Sequence, residues 1–346
     1  MEKSNIKFKD ILPLLILAAL SVIIVIIIIG ESKKEKLYSE HFGKYFDTVS
    51  TVYAYTGDEE EFERVADTVE EMLRGYHELF DIYTDSDAKG LKLVNDSAGG
   101  DGVRVDKEVI RLLLYCKEIY RLTDGEVNVA MGSVLSLWHN YRDTGVGIPT
   151  EAELAEAEKH TDIEKLIIDE ESMTVRLCDP LMSLDVGAVA KGYATERIAE
   201  ALEAQGISGY ALDIGGNLRV IGAKSDGSGW RTGVRNPDET SEDRYVHYLD
   251  AKDTSVVTSG DYERYYTVDG VRYHHLIDKD TLMPSTYHRS VTVVCRDSAL
   301  ADALSTALFN TDMESGKRMI EALEVECVIW VEGDGEVVVY DNQRMK

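Results

Sequence analysis

Basic residues are scarce: 37 Lys and Arg stand against 64 Asp and Glu, a formal net charge of -27 at pH 7. A surface of that sign repels a phosphate backbone, which excludes nucleic acid as a partner. It leaves room for a single nucleotide, because a local pocket can oppose the global field. Cysteine is also sparse. Cys116, Cys178, Cys295 and Cys327 lie far apart and form no CxxC, which excludes a zinc or disulfide framework and predicts reduced core thiols. With 5 Pro, no low-complexity tract and 44% hydrophobic residues, the composition is that of a folded chain. Its 346 residues predict one large bilobal domain or two small ones.

Long apolar runs are missing except at Ile11 to Ile29, interrupted only by Pro13 and Ser21 among the apolar residues. At ~1.5 Å per residue a helix there spans roughly 28 Å, enough for a bilayer core. The residues after it make a poor cleavage site and no cysteine is near, so an uncleaved anchor over 11–29 is expected, with 1–10 cytoplasmic. Lys3, Lys7 and Lys9 on one flank are matched by Lys33, Lys34 and Lys36 on the other, so charge alone leaves the orientation open. Residues 30–44 read as a charged stalk, and 45–346 as one folded unit.

Residues 46–55 alternate and are rich in β-branched side chains, which predicts a strand. Helical spacing marks 58–83, 107–123, 150–160 and 190–205, the last closed by Gly206. Strands are expected near 165–168, 174–177 and 181–186. From Gly209 onward short strands dominate, with helices at 299–309 and 313–323 and two closing strands. Helices and strands are segregated, which favours α+β over a doubly wound sheet.

Three clusters could carry chemistry. Asp302 and Thr306 are i and i+4 on an apolar helix, so a carboxylate and a hydroxyl converge on one face. A buried Asp–Thr hydrogen bond is the plain reading, but a buried carboxylate needs a cation or donors, which favours a metal. SLDVGAVAKGY (183–193) is a Gly-broken strand-to-helix junction with Asp185 and Lys191, whose free amides and dipole suit an anion. A second Gly-rich turn follows at Asp213, Gly215 and Gly216. The third cluster pairs Ser259 with His274 and His275. No GxSxG supports a hydrolase, and adjacent histidines on a strand point to opposite faces, so they cannot share a zinc. One can face a site while the other packs.

Taken in order through 45–340, these motifs resemble the ApbE family of Mg-dependent FAD:protein FMN transferases. Residues 46–49, 80–95, 123–138, 185–193, 213–217, 258–262 and 302–307 carry the likeness. The resemblance implies an α+β, T-fold-related domain of mostly antiparallel sheets with flanking helices behind the transmembrane segment. It implies Mg²⁺ on Asp302, Thr306 and the carbonyl of Ala188. FAD, as substrate, would contact Val127, Asn128, Val129, Asp185, Lys191, Asp213, Gly215, Gly216 and Ile277. His275 and Asp278 would be catalytic, with His275 activating a threonine or serine hydroxyl of an exported or membrane redox protein. The domain would sit on the outer face of the cytoplasmic membrane. The sequence departs from the pattern at 46–47, where Phe-Asp replaces Met-Gly, at Val127-Asn128, which replaces Phe-Asp, and at Lys279, which replaces a proline. Two other activities need the same pocket: hydrolysis of FAD to FMN and AMP, and FAD binding without turnover.

Overall fold

The computed structural model describes residues 35–341. The expected cytoplasmic segment (1–10) and anchor (11–29) lie outside them. Among the described residues no helix is long and apolar enough to cross a membrane.

The chain runs β1 (Lys36–Gly43), β2 (Val49–Thr56), α1 (Glu59–Phe80), α2 (Leu91–Asp96), β3 (Val103–Arg104), α3 (Lys107–Leu122), α4 (Gly132–Thr144), α5 (Glu151–Glu158), β4 (Leu166–Asp169) and β5 (Thr174–Leu177). It continues through α6 (Ala190–Ala204), β6 (Tyr210–Ile214), β7 (Asn217–Ile221), β8 (Trp230–Arg235), β9 (Tyr245–Ala251) and β10 (Ser255–Gly260). The last part is β11 (Tyr265–Val268), β12 (Val271–His274), β13 (Ser290–Cys295), α7 (Ser298–Phe309), α8 (Met313–Ile320), β14 (Val325–Val331) and β15 (Val337–Asp341). Eight strands form one sheet in the order β1-β2-β6-β7-β10-β13-β14-β15. Every neighbouring pair in it is antiparallel. The expected α+β class with antiparallel sheets is the one observed.

Period-2 alternation divides the two faces of this sheet. On β6, Tyr210, Leu212 and Ile214 join the main core under the helices, while Ala211 joins the cluster of Val220, Val256 and Ala251 beneath the β8–β9 hairpin. Helix α1 has its apolar positions at helical spacing (Phe62, Val65, Val69, Leu73), and the Asp58 side chain caps it by accepting from Glu61 N. Helix α7 is buried almost throughout because it lies against β10, β13 and α6.

Four local expectations are corrected. The stalk becomes a strand from Lys36: it pairs along the whole of β2, and Tyr38 stacks on Phe62 at 5.4 Å. The strand expected from 46 begins only at Val49, because Phe46 and Asp47 take φ of 53° and 52° in a short 3-10 turn. Residues 181–186 run without a ladder. Asn95 holds Leu184 there from both sides, accepting from its N at 2.8 Å and donating to its O at 2.9 Å. Finally, Cys116 and Cys295 are buried, but Cys178 is exposed and Cys327 only half-buried, all four unbridged.

Candidate active site

Helices α6 and α7 touch where Gly192 faces Asp302. A Cβ on Gly192 would overlap Asp302 Cβ and Ser298 O, so only glycine allows this approach. The Gly192 amide, free in the first turn of α6, donates to Asp302 Oδ2 at 2.7 Å. Lys191 Nζ lies 3.7 Å from Asp302 Oδ1. Burial pushes the Asp302 carboxyl above the ordinary range, while Lys191, Gly192 N and Asn217 help to keep it ionised. One turn on, Thr306 Oγ1 is 3.3 Å from Ser259 Oγ, which also pairs with Ser305 Oγ at 2.8 Å. Ser259 is thus bonded to α7 hydroxyls.

This corner opens on a cavity of about 1280 Å³, larger than the roughly 300–1,000 Å³ of ordinary small-molecule sites. All the predicted site residues line it except one: Val127, Asn128, Val129, Asp185, Ala188, Lys191, Asp213, Gly215, Gly216, His275, Ile277, Asp302 and Thr306. Asp278 is the exception. It is buried at the 277–284 turn, where its Oδ1 accepts from Asp280 N and Thr281 N, both at 2.8 Å. The predicted catalytic carboxylate therefore holds a turn.

The remaining groups are fixed by backbone. Asp185 N donates to Val129 O at 2.8 Å, and its Oδ1 accepts from Gly187 N at 2.8 Å. Asp213 Oδ1 accepts from Gly216 N at 3.0 Å, and burial raises its pKa. Gly215, at φ 58°, leaves the space that Thr48 occupies. Asn128, where the resemblance implied a carboxylate, accepts from Ala130 N and donates to Thr161 O at 2.9 Å each, which makes it a local brace.

The two histidines divide as alternation requires. His274 Nε2 lies 2.9 Å from Ser285 O, while His275 faces the cavity with its Nδ1 buried and unpartnered. Burial, then Arg264, lowers the His275 pKa to about 3, so the free ring is neutral. Residues missed in the sequence also line the cavity: Glu126, Asn217, Asn310, Arg142, Arg264, and Tyr83 with His139, whose Oη and Nδ1 are 2.8 Å apart. Only Asn217, inside the Gly-Gly-Asn motif, carried a local signal.

Asp302, Thr306 and the Ala188 carbonyl, which the resemblance assigns to a metal, all line this cavity, and oxygen donors of this kind suit a hard divalent cation. The buried Oδ1 of Asn217, without a partner, marks polar capacity that the protein leaves unmet. The residues present fit such an ion. Among the described residues no group of three or more His, Cys, Asp or Glu forms a metal cluster.

Fold and site define a class: an antiparallel α+β protein with one large cavity lined by both polar and apolar groups. The ApbE family profile matches residues 46–329, and the chain belongs to that family. It is 29% identical over 285 residues to the FAD:protein FMN transferase of Klebsiella pneumoniae, covering 82% of this chain and 87% of that one. The crystal structure of the ApbE protein from Thermotoga maritima superposes with a TM-score of 0.79 at 29% identity, over 90% of this chain and 99% of that one. The apo flavinyl transferase ApbE of Pseudomonas stutzeri gives 0.72 at 26% identity, over 89% and 95%.

Proposed function

We propose that this chain is a FAD:protein FMN transferase. The observation that carries the reading is the convergence of Asp302, Thr306, Lys191 and the unpartnered His275 imidazole on one cavity, in a member of the ApbE family. An acceptor threonine or serine hydroxyl attacks the FMN-side phosphorus of FAD. A new O–P bond forms, the bond from that phosphorus to the bridging oxygen breaks, and AMP leaves with that oxygen. The hydroxyl proton passes to the His275 ring, neutral and free to accept it. Burial is the main cause of the low His275 basicity, and a bound pyrophosphate opposes the lesser part, the repulsion from Arg264 and Lys191. Lys191 pairs with phosphate oxygens, and Gly216, with open space where a side chain would stand, lets the nucleotide approach the backbone.

Mg²⁺ held by Asp302, Thr306 and the Ala188 carbonyl would neutralise the pyrophosphate when bound. No side chain of this chain needs to become covalently attached, which suits a reaction of positioning and electrostatics. Anchorage through Ile11–Ile29 is supported by that apolar run, while placement of the domain on the outer face of the cytoplasmic membrane rests on the family resemblance alone. The acceptor is then an exported or membrane redox protein.

The test is the intact mass of a candidate acceptor domain after incubation with the full chain in detergent, FAD and Mg²⁺. We expect a gain of one FMN with AMP release, reduced roughly a thousandfold in Asp302→Ala, which removes several kcal/mol of charge stabilisation. Free FMN and AMP with every acceptor unmodified would mean a pyrophosphatase. Tight FAD with no turnover would leave a binding protein.

A further inference from the structure

Strand β8 pairs on one side only, with β9, in a two-stranded sheet. All 6 of its residues, Trp230 to Arg235, line the cavity, whereas β9 contributes Tyr245 alone. The unpaired edge of β8 is therefore the one turned to the cavity. Among the described residues its main chain makes no hydrogen bond outside the β9 ladder. No other edge strand among them runs along the cavity: β1 gives it Leu37 alone, and β3, β4, β11, β12 and β15 give it nothing. A row of free N–H and C=O groups is a template for a further strand.

Two side chains of β8 are also unmet. Trp230 Nε1 is buried with no acceptor. Arg231 is exposed, its guanidinium 4.4 Å over the Tyr248 ring, and it forms no ion pair among the described residues of a chain whose net charge is -27. At the far end of the strand, Arg235 lies 3.5 Å from Glu263, the neighbour of Arg264, whose charge bears on His275. The edge thus ends beside the part of the cavity that holds the base. None of the residues assigned above to FAD or to the metal lies on β8.

The structure assigns the β8 edge to the acceptor protein: an extended segment of it adds to β8 as a third strand, with an acidic side chain beside Arg231. This rests on the transferase reading above, which requires a second, protein substrate in the same cavity. Strand addition takes its affinity from main-chain bonds and its register from a few side chains. Here an incoming carbonyl or carboxylate also satisfies the Trp230 indole, and a carboxylate meets the one guanidinium of the strand that the protein leaves unpaired. The strand direction then carries the acceptor hydroxyl toward His275.

The experiment uses the full chain in detergent micelles and the acceptor domain that gains FMN in the mass assay, with its reactive threonine or serine replaced by valine so that it binds without turning over. Hydrogen exchange is followed residue by residue across β8, with FAD alone and with FAD and excess acceptor. The amides of a strand alternate between its two neighbours, so we expect the acceptor to slow exchange about tenfold at alternate residues of β8 and FAD alone to leave them unchanged. In Arg231→Glu, an exposed site, the KM for the unsubstituted acceptor rises about tenfold while kcat and FAD affinity hold. A β8 left unprotected, uniform slowing at every one of its amides, protection that appears at β1 instead, or an acceptor KM untouched by Arg231→Glu overturns the docking and leaves the transferase reading standing. If no acceptor gains FMN, both fall together.

Discussion

Two buried polar clusters meet helix α6, and they are completed in opposite ways. In the first, Arg219 is fully buried and met by three carboxylates: Glu196 at 3.3 Å, Glu203 at 2.7 Å and Asp253 at 3.3 Å. Glu196 also accepts from Ser298 N at 2.7 Å, which ties α6 to the start of α7. In the second, along the cavity wall that includes Asp302, Asn217 Oδ1, Asn310 Oδ1 and His275 Nδ1 have no partner. One cluster is finished by the protein; the other awaits something from outside. The difference teaches where to look for a ligand, because the same fold shows that it can satisfy buried charge when nothing need enter.

The contrast breaks most visibly at Arg219. Arg219→Met leaves three carboxylates around an apolar side chain, and should cost about 3–5 kcal/mol in urea unfolding, the usual penalty for orphaning a buried partner. Transfer per folded molecule should stay within a few fold, since none of those carboxylates lines the cavity. His275→Ala should do the reverse: turnover falls by roughly 10²–10⁴ while the melting temperature holds or rises, because a buried unpartnered nitrogen has gone. Asp278→Ala separates the turn from the chemistry. Losing two backbone-to-carboxylate bonds should cost about 1–2 kcal/mol of stability, with kcat reduced by less than tenfold; a thousandfold loss would restore Asp278 as catalytic.

The smallest effect concerns Glu126. Burial pushes its pKa up to about 7, with Lys279 opposing. The native state therefore holds a proton that the unfolded chain releases near pH 4.5, so this residue lowers stability as pH rises through that window to about 7. Glu126→Gln should gain about 1 kcal/mol over the native chain at pH 8, after allowance for screening and the lost Lys279 pair, and no advantage at pH 4. Thermal melts at both pH values check it.

The long helices and inner strands were legible because burial of one face imposes a period, and α1 and α3 carry it plainly. Strand β1 was not, since only Phe42 along it is buried and its order comes from pairing with β2. Helix α4 begins at a glycine and buries only Gly132, Val134 and Trp138, too few for a clear stripe. The cavity wall was read well where a motif combines glycine with an unusual polar residue, as at 185–192 and 213–217. Asp278 bonds its own turn and is not among the residues lining the cavity, which the sequence does not disclose because matching a motif position does not say which way a carboxylate turns. Asn310 stayed invisible for a related reason: a lone polar residue at a helix end reads as a cap, and only the folded chain shows it walling a cavity.

The bare α-carbon of Gly192 has a historical consequence. Because any side chain there would displace Asp302 and Ser298, the two positions cannot drift independently. A descendant of this chain that acquires even a methyl group at 192 loses the spacing of its two central helices, and no single compensating exchange on α7 can return it, since Ser298 obstructs with its main chain. The inheritance of the carboxylate is therefore bound to the inheritance of an empty place.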